Sequence, residues 1–386
     1  MPLIRVIFLE AAAALLAAPV LTHKSTWLIA TAPLAVLSLV GALGGGKGRW
    51  LGQASQVRAE YRERREVRQN PAAATGEAAL APLRETYPGL RTSTLSSHTG
   101  EPVGMIGDGT FLTAVVRVHA RQEPLRGPRR SGPLPLGAVT SVLGDLQLPA
   151  SCVQIVTHTL PAPTQQLPAH ALATRSYQSL AEDVPAQRTT WVAVRLDPQE
   201  CTMAIESRGG GSLGAQRSLL TLAQRVASEI EGAGFETVLL SEPELITALG
   251  TACAVNPMVG TTPGTSAPAR RTAEGRRTWR CDDRWHTTYW VDRLPNLATD
   301  TTPDLIAGLT GLPTLSTTLA ITATRGIGDA IGFSMHVRIS ARAEAQLVEA
   351  AKALERQADK LGTGLSRLDG EQLPGLIATI PLGGQP

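Results

Sequence analysis

The stretch TTWVAVRLDPQECTMAIESRGGGSLGAQRSLLTLAQRVASEIEGAGFETVLL, residues 189–240, carries the clearest structural pattern in the chain. In its first part, residues 190–196, every second side chain is apolar, which is the pattern of a half-buried strand. Residues 213–230 repeat apolar side chains at helical spacing, and two glycines follow them as a helix stop. Residues 235–240 return to a strand pattern. The stretch therefore predicts a strand, a long amphipathic helix and a second strand.

Two helix starts are marked inside and just after this stretch. Asp197 is followed by Pro198, which is the order of an acidic N-cap and a first helical residue, and it predicts a short helix over residues 199–207. Ser241 is a capping residue before an acidic turn and predicts a second short helix through Leu249.

Upstream of this stretch, predicted strands and helices also alternate along the chain. Residues 111–119 and 151–160 read as strands, and residues 136–146 have apolar side chains at helical spacing. The pair Asp108 and Gly109 lies between short apolar runs and predicts a hairpin turn.

Downstream, predicted helices and strands continue to alternate through residue 382. Residues 302–309 and 341–361 predict helices, whereas residues 315–324, 332–340 and 375–382 predict strands. Alternating elements indicate a layered α/β (α+β) domain with helices packed on a mixed β-sheet. The strand–helix–strand order recurs, although no repeat is visible at the level of residues.

The N-terminal part of the chain differs from the rest because it holds two apolar runs, residues 6–21 and 27–43. Each run reaches the lower length limit of a membrane-spanning helix once its flanks are counted. We therefore expect a two-helix transmembrane hairpin over residues 1–46. Two alternatives remain open: the first run is a signal peptide, or both runs form a buried helix pair of a soluble domain.

A basic segment follows the second apolar run. Basic side chains concentrated beside apolar runs favour the cytoplasmic side, so both termini and the large domain are predicted to be cytoplasmic, with the chain in the inner (plasma) membrane as a two-helix multi-pass protein. We expect this segment to contact lipid headgroups or neighbouring subunits. The residues concerned are Lys47, Arg49, Trp50, Arg58, Arg62, Arg64, Arg65 and Arg68.

These patterns predict three parts. They are a transmembrane hairpin (1–46), a basic juxtamembrane helix with a linker (47–75) and a cytosolic domain (76–386). Within the last part we expect sub-units at 76–180, 181–255 and 279–386, with a mobile loop at 256–278 that is rich in Pro, Gly, Thr and Ser.

Composition excludes several classes of protein. The net charge of +3 over 386 residues gives no reason to expect nucleic-acid binding. The four cysteines are far apart and form no C-x-x-C, so neither a disulfide framework nor a zinc site is indicated. Cys281 to His286 (CDDRWH) cluster potential ligands, but the simpler interpretation is a polar turn before a strand. No catalytic residue, cofactor site or metal site is predicted.

Residues 189–244 resemble the actinobacterial EccE family of type VII (ESX-type) secretion systems. Members share a W-V-[AV]-[VL]-R-[LF]-[DN]-P strand, then a Cys, then R-G-G-G before an amphipathic helix. In this chain the corresponding residues are Trp191, Arg195, Asp197, Pro198, Cys201, Arg208, Gly209, Gly210 and Gly211.

The resemblance implies a membrane-embedded structural subunit that supports assembly or stability of the export machine. Its implied partners are EccB, EccC, EccD, the mycosin protease and the lipid bilayer. The resemblance implies no catalysis, and EccC would be the ATPase. Two alternatives stay open: a membrane-anchored enzyme such as a glycosyltransferase-like protein, and a lipid-binding regulatory module centred on the basic helix.

Overall fold

The computed structural model describes residues 10, 51–67, 77–120, 134–145, 147–160, 172, 187–256, 270–295, 302–326 and 330–384. The chain divides into two compact units, residues 1–69 and 70–386, and each is described here by itself. In the first unit, helix α1 spans Leu51–Val67.

The second unit alternates strands and helices along the chain. Its strands are β1 (Arg91–Ser96), β2 (Pro102–Gly107), β3 (Leu112–Ala120), β4 (Cys152–Leu160), β5 (Gln187–Leu196), β6 (Phe235–Leu239), β7 (Thr272–Glu274), β8 (Trp279–Cys281), β9 (Arg284–Arg293), β10 (Ser316–Arg325), β11 (Ile331–Ala341) and β12 (Gly364–Arg367). Its helices are α2 (Ala81–Thr86), α3 (Leu136–Thr140, continued as a 3-10 turn over Ser141–Gly144), α4 (Thr202–Ser207), α5 (Gly211–Gly232), α6 (Glu242–Ala252), α7 (Thr302–Thr310), α8 (Glu344–Lys360) and α9 (Gln372–Ile377).

The strands form one sheet in the order β1-β2-β3-β5-β4-β10-β11-β9-β8-β7, with β6 on β3 and β12 on β9. Every pairing between the described strands is antiparallel. The mixed sheet expected from the sequence is therefore wrong. Hydrophobic alternation marks a strand but carries no information about its partner's direction, which the connections decide.

The two halves of this sheet have the same topology. The elements β3–α3–β4–β5–α5–β6 place their strands in the order β6-β3-β5-β4, and β9–α7–β10–β11–α8–β12 place theirs in the order β12-β9-β11-β10. Each is the βαββαβ arrangement of ferredoxin-like folds. We name them repeat 1 (residues 102–256, with the β2–β3 hairpin and α6) and repeat 2 (residues 279–384, with the β8–β9 hairpin and α9).

Repeat 1 and repeat 2 join through their equivalent strands β4 and β10. These strands pair antiparallel with Ile155 opposite Ile321. An antiparallel pair of equivalent strands relates the repeats by an approximate two-fold axis normal to the sheet. The third strands share a short sequence as well, Val194-Arg195-Leu196 in β5 and Val337-Arg338-Ile339 in β11.

Helices cover both faces of the sheet. On one face, α3, α4 and α5 bury the apolar side chains of repeat 1, and α7 and α8 bury those of repeat 2. On the opposite face, α2, α6 and α9 enclose a second apolar layer that includes Trp191, Trp279 and Ala320. The second unit is thus a helix–sheet–helix sandwich, and successive residues of each strand contact different helix layers.

The predicted fold class needs a second correction, which concerns the membrane. Within the ranges given above, no helix combines the length and apolar composition that a bilayer crossing requires. The structure is a large antiparallel sheet with helices, and the two-helix transmembrane hairpin is not found in it. Apart from Glu10, residues 1–46 lie outside the described residues.

One further predicted element is wrong, and another begins later than expected. Residues 375–382 were expected to be a strand, but α9 ends at Ile377 and turns follow it. The last strand is instead β12, whose four residues are too few to show an alternation. The helix expected over residues 199–207 begins only at Thr202, because Asp197 accepts from the backbone of Gln199 in a local turn.

Candidate functional site

The residues of the EccE-like motif form the connection from β5 through α4 to α5. Trp191 and Arg195 point to the same face of β5 and are buried or half-buried there. Cys201 precedes α4, and its thiol lies 3.2 Å from the carbonyl of Pro149. Burial raises the pKa of this thiol to about 11, which keeps it protonated and unreactive at neutral pH. This cysteine therefore serves packing.

The R-G-G-G sequence makes the tight turn between α4 and α5. Gly209, Gly210 and Gly211 have φ values of +107°, +66° and +57°, a region that side chains rarely adopt. Arg208 donates to the carbonyl of Ala204 over 3.0 Å and accepts through its own carbonyl from Arg217. The motif thus forms the turn between α4 and α5, and Arg208 makes these contacts within the turn.

Arginines of each repeat donate hydrogen bonds to the other repeat. On the face covered by α6 and α9, Arg338 of repeat 2 donates to the carbonyl of Ala252 at the end of α6. Arg195 of repeat 1 donates to the carbonyl of Gly384, beyond α9, over 2.8 Å. Ala252 is the last residue of α6, and the carbonyl end of a helix is electronegative, so the guanidinium of Arg338 stabilises it.

The same exchange occurs on the other face of the sheet. Arg325 of repeat 2 donates to the carbonyl of Leu143, at the end of the first helical segment of repeat 1, over 2.7 Å. Arg188 of repeat 1 lies 3.4 Å from the hydroxyl of Thr310, the last residue of α7. On both faces of the sheet, arginines of each repeat therefore contact the other repeat.

The Cys281 to His286 segment is a polar turn, as predicted. It connects β8 to β9, and Asp282 makes a two-bond ion pair with Arg271 at 2.7 and 2.8 Å. Burial raises the pKa of the Cys281 thiol and lowers that of His286. Among the described residues, no group of three or more His, Cys, Asp or Glu is placed to hold a metal ion.

A cleft of about 560 Å³ lies between α6 and the sheet in repeat 1. Its floor comes from the three central strands of the repeat and its wall from one stripe of α6. We call it the α6 cleft. It is lined by Arg117, His158, Leu160, Gln187, Thr189, Trp191, Leu240, Pro243, Glu244, Thr247, Ala248 and Thr251.

A rigid pair of rings lies in the floor of the α6 cleft. Trp191 and His158 are 4% and 1% exposed, and their ring centroids are 6.0 Å apart. The Nδ1 atom of His158 lies 2.9 Å from the hydroxyl of Thr318 in repeat 2. Sequence analysis identified Trp191 as a motif residue but not the cleft, because the other lining residues come from distant segments.

An ion pair lies at the wall of the α6 cleft. Glu244 accepts from the backbone nitrogen of Ser241 over 3.0 Å and from its hydroxyl over 2.8 Å, which completes the capping box of α6. These hydrogen bonds, and then the charge of Arg117 at 3.6 Å, lower the pKa of Glu244. The Glu244 side chain is therefore charged at neutral pH.

Helix α1 carries four of the predicted lipid or partner contacts. Arg58, Arg62 and Arg65 are exposed and follow the i, i+4, i+7 spacing of one helix face. Arg64 lies on another face, 3.6 Å from Glu60. Lys47, Arg49, Trp50 and Arg68 lie outside the described residues.

Comparison with known proteins gives one family. No curated protein matches the chain. Residues 184–291 match the family model described as "Putative type VII ESX secretion system translocon, EccE". The matched segment runs from β5 into β9 and contains every residue of the motif. Over residues 184–291 the chain is therefore similar to EccE, a component of type VII secretion systems, which confirms the resemblance predicted from residues 189–244.

Proposed function

We propose that this chain is a structural component of a type VII secretion translocon and carries out no reaction of its own. The family match over residues 184–291 is the observation that carries this proposal. EccB, EccC, EccD and the mycosin protease are the partners that we expect, and membrane association follows from that assembly.

The fold supports a structural role in one respect. The motif residues make the turn between α4 and α5 and the contact of Arg195 with repeat 2, so their chemistry is used inside the domain. A scaffold needs a rigid shape to present surfaces to its neighbours. A motif that fixes helix angles and joins two repeats supplies such rigidity.

Affinity isolation tests this proposal. The tagged full-length chain is produced in its own host, extracted in mild detergent, and its bound proteins are identified by mass spectrometry. We expect the other translocon subunits to copurify in constant ratio. If they remain assembled with each other but leave this chain behind, the proposal is contradicted. Turnover of a nucleotide-sugar by the purified chain would favour the glycosyltransferase-like alternative instead.

We also propose that the arginine face of α1 contacts anionic lipid headgroups at the membrane surface. Arg58, Arg62 and Arg65 present three charges within one face, where each contributes about 1 kcal/mol near an anionic surface. The exposure and spacing of these three arginines support this proposal.

A vesicle assay tests the arginine face. We expect the full chain to lose its binding to phosphatidylglycerol vesicles when it carries Arg58→Glu, Arg62→Glu and Arg65→Glu together. Added salt should weaken vesicle binding by the unsubstituted chain. Arg64→Glu is the matched control, because Arg64 lies on another face. Equal loss in the control and in the triple variant would contradict the assignment.

A further inference from the structure

We propose that two copies of this chain pair with each other through the outer edge of strand β1. This strand ends the strand order of the sheet, and β2 is its strand partner among the described residues. A terminal strand presents a row of backbone N–H and C=O groups that can pair with another extended strand. The pairing goes beyond the proposed function, because it does not depend on which translocon subunits the chain binds.

The hydrogen bonds around β2 identify the backbone groups of β1 that point outward. Next to the paired residues, Ser97 donates to the carbonyl of Glu101 over 2.8 Å. Hydrogen-bonded pairs recur at every second position of an antiparallel ladder. Gly104 lies at a position between such pairs, and its nitrogen donates to Leu240 on the side away from β1, over 2.8 Å. The outward backbone groups of β1 are therefore those of Thr92, Thr94 and Ser96.

Strand β1 lacks the features that usually protect a terminal strand. Such strands are often very short, contain Lys or Pro, or are covered by other groups. Strand β7, at the other end of the order, has three residues, and the carboxylate of Glu85 accepts from the backbone nitrogens of Arg271 and Thr272. Strand β1 has six residues, contains neither Lys nor Pro, and pairs with β2 without a bulge.

The outward groups of β1 favour a second copy as the partner. A two-fold axis normal to the sheet places two copies of β1 antiparallel, with residues of the same face opposite each other. In the register centred on Thr94, Thr94 lies opposite its equivalent and Thr92 lies opposite Ser96. Each of these pairs then exchanges two backbone hydrogen bonds, so all three outward residues are satisfied. The opposed side chains are hydroxyl groups, without like charges.

Helices on both faces hold β1 in place. On one face, Gln216 of α5 donates to the hydroxyl of Ser93 over 3.0 Å, and on the other Thr94 donates to Glu242 of α6. The edge is therefore ordered before it pairs, which lowers the entropic cost of association. Leu213 precedes Gln216 by one turn on the same side of α5, is 43% exposed, and offers an apolar surface beside the strand.

Cysteine cross-linking of the purified full-length chain tests both the pairing and its register. The register brings the Cα atoms of the two Thr94 residues to about 5.5 Å, within the span of a disulfide, but keeps the two Ser96 residues about 14 Å apart. Under oxidation with copper phenanthroline, Thr94→Cys should therefore give a covalent dimer, whereas Ser96→Cys, the matched control, should not. The four native cysteines are buried and give little background.

A proline at the same position tests the backbone hydrogen bonds. Thr94→Pro removes an N–H that points away from β2, so the β1–β2 ladder keeps its own bonds. The interface is small, and we expect a weak dimer whose fraction rises with concentration in sedimentation equilibrium. Thr94→Pro should weaken this dimer about tenfold, since each copy loses a donor beside the axis. Thr94→Ala keeps the N–H and should retain the dimer.

The charge of Glu242 distinguishes a second copy from another partner. Hydrogen bonds from Thr92 and Thr94 lower the pKa of this carboxyl, so it is charged at neutral pH. Pairing of two copies places two such carboxylates on one face beside the axis, and Glu242→Gln should therefore strengthen the dimer several-fold at low salt. A partner strand that carried Lys or Arg opposite Thr94 would bind more weakly to this variant.

The outcomes decide the proposal. It is overturned if Thr94→Cys forms no covalent dimer, or if Ser96→Cys forms one as readily. A dimer of undiminished affinity in Thr94→Pro overturns it, and so does a weaker dimer in Glu242→Gln. If Thr94→Pro fails to fold, as judged by its thermal transition, the two cysteine variants decide alone. Loss of the translocon subunits from the isolated chain would contradict the proposed function but not this pairing.

Discussion

Arg338 is a buried arginine that has no carboxylate partner among the described residues. Arg338 is 1% exposed, and its described partners are neutral: the carbonyl of Ala252, the hydroxyls of Thr379 and Thr318, and a ring nitrogen of His286. Burial lowers its pKa to about 10, so it remains charged at neutral pH. A buried charge satisfied only by neutral acceptors fixes their positions.

Replacing Arg338 should therefore destabilise the fold more than replacing Arg195. Arg338→Met leaves the Ala252 carbonyl and the Thr379 hydroxyl buried without their donor, and we expect a loss of about 2–4 kcal/mol. Arg195→Met removes a half-buried side chain that lies over the ring of Phe111, and we expect about 1 kcal/mol. Urea unfolding measures the loss of stability in both variants. A larger loss in Arg195→Met than in Arg338→Met would contradict the role of burial.

Protonation of one buried histidine, His336, should make the free energy of unfolding depend on pH. Burial lowers the pKa of His336 to about 4, below the ordinary value of 6.5. The unfolded chain therefore binds a proton that the folded chain does not, and the free energy of unfolding falls as the pH decreases from about 6.5 towards 4. We expect His336→Gln to remove about 2 kcal/mol of this loss.

Unfolding in urea at pH 7 and at pH 4.5 provides the measurement for His336. Its control is His98→Gln, which replaces an exposed histidine in the turn after β1. Parallel pH curves for the unsubstituted chain and His336→Gln would show that His336 does not contribute.

At the scale of elements, close helix contacts depend on single glycines. A Cβ atom at Gly214 of α5 would lie 2.4 Å from the carbonyl oxygen of Ile205 in α4. The two helices therefore touch through backbone at this point, and a larger side chain must separate them. Gly232, at the end of the same helix, has open space around it.

These two glycines should respond in opposite directions. Gly214→Ala should lower the free energy of unfolding by about 1–3 kcal/mol through overpacking. Gly232→Ala should raise it by about 0.5 kcal/mol, because alanine is the better helix former. Chemical denaturation of both variants checks this. A stabilised Gly214→Ala would show that α4 moves away at little cost.

At the scale of the whole molecule, the segment after α9 belongs structurally to repeat 1. Gln154 donates to the carbonyl of Ala378 over 2.8 Å and accepts from the nitrogen of Gly383 over 3.0 Å. Thr113 donates to the carbonyl of Leu382 over 3.0 Å. The last turn of repeat 2 thus satisfies buried polar groups on the central strands of repeat 1.

Truncation after Ile377 should therefore destabilise repeat 1 at a distance along the chain. The truncated chain loses the buried side chains of Ile380 and Leu382 and leaves Gln154 without its partners, and we expect a loss above about 3 kcal/mol. Hydrogen exchange should quicken in β3 and β5. Faster exchange confined to α9 would contradict the coupling of the repeats.

The elements that the sequence identified correctly are long segments whose apolar residues follow one regular spacing throughout. The strand over residues 190–196, the helix over 213–230 and the helix over 341–361 all occur in the structure, because their alternation reports which side chains are buried. The capping box at Ser241 also marked its helix correctly. By contrast, β12 has four residues and escaped notice.

The sequence by itself determined the long strands and helices, their order and the resemblance to EccE, since local spacing and a contiguous motif contain that information. Only the tertiary structure decided the antiparallel sheet, the two related repeats, the arginine contacts between them and the α6 cleft. These features join residues more than 100 positions apart, such as His158 and Thr318. Contacts between distant segments depend on how the strands pair, and no local pattern of side chains records that pairing.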